Sequence, residues 1–252
     1  MASATDGDVV GQFRRAYETV VRFPVLIVPP LLVGILGFLL LFFIAGGATV
    51  VGALMGALMG GAMGGGVGAA AGGIAGLVLG ALLFGIVMGG MWFVSSGMVV
   101  VMARDALGGR EPGLGDALAA VLGRLGALAV ASILVTAIVA VGFLLLVIPG
   151  FVAMVLLMFT LPAVLLDGLG AVDAMRRSVA VVREHVGAVV GLVVGSLLVF
   201  VGAAIVAWIV GWVPILGGLA SFVVHSAAVS YLTVVGVHVY QTLRTPGGRV
   251  AS

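Results

Sequence analysis

Few side chains in this chain carry reactive groups. The most distinctive is His225, which stands one helical turn after Ser221 and is followed by Ser226, Ser230 and Thr233 in an otherwise apolar stretch. An ionisable residue in such a stretch is a candidate for proton or solute transfer. Helix packing competes with it, since hydroxyl and imidazole hydrogen bonds between membrane helices contribute about 0.6 kcal/mol each. A second group, Asp173, Arg176, Arg177 and Arg183, is close enough in sequence to share one helix. The three arginines are candidates for anionic-lipid headgroups, at about 1 kcal/mol per residue near such a surface. Asp173 is placed to pair with Arg176 or Arg177 on a solvated face, where an ion pair adds little. Glu184-His185 lacks a second His or carboxylate at ligand spacing, so no metal is expected. No catalytic triad or paired carboxylate is recognisable, and the glycine-rich segment lacks the Lys-Ser/Thr ending of a phosphate loop. Neither an enzyme nor a cofactor is expected.

Composition sets where these residues must sit. Of 252 residues, 63% are apolar and 8% charged, against about 25% charged in soluble domains. An integral membrane protein follows. There is no Cys, Lys or Asn, which excludes disulfides, thiolate metal sites and lysine Schiff bases. All eleven basic residues are Arg, and the pI of 9.7 would point to nucleic acid in a soluble protein. Without a dense basic patch, nucleic acid is not an expected partner, and the arginines are better explained as topology determinants and lipid contacts. The apolar run Val25 to Ala45 exceeds the 7–15 residues of a signal-peptide core, which favours a retained first span.

Hydropathy predicts an all-α bundle of six spans, about Val25–Ala45, Leu77–Met102, Gly126–Ile148, Phe151–Leu166, Gly187–Trp208 and Leu219–Tyr240. Between Phe23 and Ala103 no residue is charged; four spans there would leave nothing for turns, and three would separate the arginine groups across the membrane. The Pro29-Pro30 pair is expected to bend the start of the first span. Pro149-Gly150 reads as the tight turn between spans three and four, which leaves the fourth span short, with Pro162 kinking its far end. Trp208 and Trp212, one turn apart, suit the headgroup level.

The connector 46–76 holds 13 glycines. Gly52, Gly56, Gly60 and Gly64 recur every four residues beside Met55, Met59 and Met63, a spacing that lets helices approach closely and would suit homo-oligomers. Partial helix, re-entrant or extending both spans, is favoured over a loop. Short amphipathic helices are expected at three places. Val9, Phe13, Tyr17 and Val20 form the apolar stripe of the first; Leu114, Leu118, Val121, Leu122 and Leu125 that of the second; Val172, Met175, Val179, Val182 and Val186 that of the third. A weak internal repeat pairs Asp116-Ala117-Leu118 with Asp173-Ala174-Met175, each opening a surface helix that leads into a span.

Six spans bring every charged segment to one side, which the positive-inside rule makes cytoplasmic. The organisation expected is an amphipathic cytoplasmic segment 1–23, a single transmembrane bundle 24–244 and a cytoplasmic tail 245–252, in the cytoplasmic membrane of a prokaryote. A scaffold or envelope-associated component in contact with anionic lipid is the leading expectation for function. The alternative is a small-solute transporter or channel using His225, Ser221, Ser226 and Ser230.

The run from Leu146 to His185 resembles the membrane domain attached to some glycerophosphodiester phosphodiesterases and the related stand-alone six-span prokaryotic proteins. Pro149 and Gly150 stand where that pattern opens a span, Pro162 near its inner end, and Ala174 and Ser178 in its Ala-x-x-x-Ser element. Asp173 precedes that element. Tyr240, Leu243 and Arg244 match its closing pattern, with Thr242 where an acidic residue would stand. The resemblance implies a six-span fold and no phosphodiesterase activity, because the catalytic barrel of those enzymes is a separate domain.

Overall fold

The computed structural model describes residues 9–40, 43, 47, 66–212 and 216–244. Among them the chain is helical throughout, with no strand. The helices are α1 (Val9–Arg22), α2 (28–40), α3 (Gly66–Leu107), α4 (Leu114–Leu122), α5 (Leu125–Leu145), α6 (Val147–Leu156), α7 (Thr160–Leu166), α8 (Ala171–Glu184), α9 (Val186–Gly211) and α10 (Leu216–Arg244). Among the described residues, five stretches are long and apolar enough to cross a membrane: Phe84–Leu107, Leu125–Leu145, Val147–Leu166, Val186–Gly211 and Ala220–Arg244. A sixth is added if the bent pair Val10–Arg22 and Pro24–Leu40 counts as one span.

Burial shows why water is excluded as the solvent for these helices. In α9 only 11% of the most apolar stretch is buried, and Leu197, Leu198, Phe200, Ile205 and Trp208 point outward. α5 likewise exposes Ile133, Val141, Leu144 and Leu145. An apolar surface this continuous belongs against lipid or another apolar partner. The chain is a multi-pass membrane helical protein.

Two compact units are present, 31–95 and the remainder. In the first, α2 and the adjoining part of α3 meet where Gly37 lies against the Met88 thioether. The glycine-rich connector falls largely outside the described residues, including Gly52, Gly56, Gly60, Gly64 and the three methionines beside them. Its last part, 66–76, is helix continuous with α3.

The second unit has its core near the charged chain segments. Residues Val99 to Ala103 of α3, Val121 of α4, Ala163 and Val164 of α7, and Val234, Val235 and Tyr240 of α10 are all buried. α9 and α10 pair along their length, and α5 and α6 form a tight hairpin.

Two turns differ from expectation. The chain reverses at Leu146, which is extended (φ −165°, ψ 151°), and Pro149-Gly150 lies inside the first turn of α6. There a proline sacrifices no helical hydrogen bond, because the first turn's N–H groups have no intrahelical partner. Gly150 serves contact: α5 approaches so closely that a Cβ on Gly142 would stand 2.9 Å from the Gly150 Cα. The fourth span therefore starts at Val147 and is 20 residues long, not short. Near the N-terminus, the break falls at Phe23 with Pro24 opening a 3-10 turn, Pro24–Ile27, while Pro29 and Pro30 sit in the first turn of α2.

Candidate functional site

Pro162 breaks the fourth span where it should. Its ring replaces the N–H that would bond the Met158 carbonyl and crowds that carbonyl. Residues 157–159 accordingly leave the α-helical ladder between α6 and α7. The loosened backbone is satisfied from α8: Ser178 Oγ donates to the Leu156 carbonyl (2.7 Å) and accepts the Phe159 amide (3.1 Å). Phe159, 1% exposed, packs its ring 5.5 Å from that of Tyr240, which is fully buried.

Tyr240 leads to a polar knot. Its hydroxyl donates to Asp167, at the end of α7, and Arg244 Nη1 donates to the other oxygen of the same carboxylate. Arg177 Nη2 donates to the Arg244 carbonyl at 3.1 Å, a favourable place for a cation because carbonyls at a helix C-terminus carry partial negative charge. Beside the knot Gly168 adopts φ +71°, and the Arg124 guanidinium packs over it so closely that a Cβ there would be 2.8 Å from Nη2. Three charged segments, those of Arg124, of Asp167 with Arg177, and of Arg244, thus meet at one place. Thr242 lies outside the knot, its hydroxyl bonded to the His238 carbonyl (2.9 Å).

The knot and the break together hold α8, which packs against α5, α6, α7, α9 and α10. Its buried face is Ala174, Ser178, Val181 and Val182. Of the expected apolar stripe, Val182 belongs to this face, whereas Val172 is 51% exposed and with Met175 and Val179 faces an open groove of about 700 Å³ between α5, α6 and α8. α1 and α4 are turned the same way. Ala16, Ala117 and the stripe residue Val121 are buried, whereas Tyr17, Leu118 and Leu122 face outward. The two Asp-Ala elements of the internal repeat thus bury the alanine each time.

The three lipid-headgroup candidates separate. Arg177 turns inward to α10, while Arg176 and Arg183 both line the groove. Among the described residues, the ion pair of Arg176 is a long contact to Asp173, 3.8 Å between largely exposed groups, worth little. Arg183 forms no ion pair among the described residues.

The α10 candidates also divide. Ser221 donates to the Ala207 carbonyl (2.7 Å) and Ser230 to the Leu26 carbonyl (2.9 Å), while Ser226 is buried. The neighbouring Tyr231 donates to the Phe13 carbonyl (3.0 Å), tying α1 to α10. His225 lies on the exposed side of α10 with its ring edge toward Phe200, centroids 6.3 Å apart.

Asp167 is the residue that sequence reasoning missed. Its only local signal is position, as the first charge after the uncharged run that begins at Leu125. Comparison of the chain with protein-family models, with curated proteins and with solved structures gives no match.

Proposed function

We propose that this is a non-catalytic membrane scaffold of a prokaryotic cytoplasmic membrane, with its termini and arginine-bearing segments on the cytoplasmic side, where it contacts anionic lipid. The observation that carries the proposal is the mounting of α8. Five helices, the Pro162 break and the Asp167 knot grip its small-residue face, and Arg176 and Arg183 remain directed away from that grip. A rigidly held helix presenting paired guanidinium groups beside apolar surface suits a charged bilayer, which attracts basic residues at its cytoplasmic leaflet.

The residues behind the resemblance to the phosphodiesterase membrane domain fit this reading as fold determinants. Pro162 makes the break, Ser178 closes it, Gly150 permits helix contact, and Tyr240 with Arg244 ties the end of α10 to Asp167. The hydroxyls of Ser221 and Ser230 are directed to backbone carbonyls, which favours a packing role for α10 over a solute path.

Extraction of the protein from its native membrane in polymer-bounded discs, followed by lipid and protein mass spectrometry, tests the proposal. Enrichment of anionic lipid over the bulk membrane, with protein partners that co-purify, is the expected result. Discs with bulk lipid composition and no partner would contradict it.

A further inference from the structure

Part of the apolar stripe that the sequence announces on α8 is left uncovered by the fold, Val182 being buried and Val172 exposed. Val172, Met175 and Val179 form one wall of the groove, and Leu134 and Ile138 of α5 with Leu156 of α6 form the other. Its volume of about 700 Å³ is within the 300–1,000 Å³ common for small-molecule sites. Along the α8 side stand Arg176 and Arg183, separated by two helical turns, about 10.5 Å along the axis. Two such long arms are able to converge on one phosphate. The third arginine, Arg177, is committed to the Arg244 carbonyl and does not line the groove.

From this pairing of apolar walls with exposed cations, Arg183 without an ion pair among the described residues and Arg176 with a 3.8 Å contact to Asp173, we infer that the groove is a seat for one anionic phospholipid, an acyl chain lying between α5, α6 and α8 and the phosphate held by Arg176 and Arg183. Charge complementarity selects the occupant. A neutral apolar helix would leave Arg183 without a counter-charge and Arg176 with only the Asp173 carboxylate at 3.8 Å, whereas an anionic glycerophospholipid supplies chain and charge in one molecule. The inference rests on the anionic-lipid reading above and narrows it from a surface to a site.

The test uses the full-length protein in nanodiscs of phosphatidylcholine and phosphatidylglycerol, with retained lipid counted by native mass spectrometry. Wild type should retain one phosphatidylglycerol in preference to phosphatidylcholine. R176Q/R183Q should weaken that retention about thirtyfold, the change expected from two arginines at an anionic surface. Ala180→Trp, which fills the groove without altering charge, should also displace the lipid. The exposed pair R15Q/R110Q should retain it. A wild type with no preference for phosphatidylglycerol would overturn the anionic-lipid reading itself. A preference that survives Ala180→Trp, or falls equally in R15Q/R110Q, would overturn the seat alone.

Discussion

Ser178 of α8 is hydrogen-bonded to Phe159 across the break between α6 and α7, accepting its amide at 3.1 Å while donating to the Leu156 carbonyl at 2.7 Å. Proline interrupts the ladder of one helix, and a serine on another helix bonds two of the backbone groups at the interruption. Ser178→Ala should lower stability by about 1–3 kcal/mol, the cost of stranding a buried polar backbone group. Thermal unfolding in detergent measures it. In a Pro162→Ala background, where the helix regains its N–H, the same substitution should cost less; equal costs in both backgrounds would count against this coupling.

Asp167 accepts from both Tyr240 and Arg244, so the carboxylate is the centre of the knot. Asp167 and Arg244 side chains are 19% and 32% exposed, which puts the pair between surface and buried limits. Asp167→Ala should cost about 1–3 kcal/mol, and Tyr240→Phe about 1 kcal/mol. Arg244→Gln should add little once Asp167 is gone, and a double-mutant cycle should return a coupling of about 0.5–3 kcal/mol. Additive costs would show that the three groups do not act together.

Gly142 and Gly150 make the α5–α6 hairpin, but they differ in what a methyl group would meet. On Gly142 it would meet the backbone of Gly150 at 2.9 Å; on Gly150 it would meet the Phe143 ring at 2.5 Å. Both alanine variants should be destabilised by about 1–3 kcal/mol. Phe143→Ala should rescue Gly150→Ala, because a smaller side chain removes the obstruction, and should not rescue Gly142→Ala. Rescue of both, or of neither, in thermal unfolding would contradict the contact.

Periodicity makes α1, α4 and α8 legible as amphipathic helices, but it does not say which members of each stripe the protein covers: Val121 and Val182 are buried, while Tyr17, Leu122 and Val172 are exposed. The covered positions also include small residues outside the stripes, Ala16, Ala117 and Ala174. In water large apolar side chains are driven into the protein. Beside lipid that drive is lost between helices, and small residues take the contacts because they allow close approach. The spans themselves were legible because charge is almost excluded from them. Asp167 was not, since its partners lie 73 and 77 residues away and no local pattern links them. Nor was the role of Pro149-Gly150, because a Pro-Gly pair is as compatible with the first turn of a helix as with a loop.

Burial predicts opposite responses at two positions of α4. Leu122→Ala, at a site 50% exposed, should change stability by less than about 1 kcal/mol. Ala117→Leu, at a site 1% exposed, should cost about 1–3 kcal/mol through overpacking. Urea unfolding in detergent or nanodiscs distinguishes them, and a larger loss at Leu122 would mean that α4 packs the other way round.

The sidedness of the arginine-bearing segments is tested most directly by cysteine labelling, which this cysteine-free chain allows without background. Val10→Cys, Arg110→Cys and Trp212→Cys place single thiols at exposed sites before α2, between α3 and α4, and between α9 and α10. With a membrane-impermeant maleimide, Trp212→Cys should react in intact cells, whereas Val10→Cys and Arg110→Cys should react only in inverted vesicles. Arg110→Cys and Trp212→Cys labelled from the same side would contradict the account.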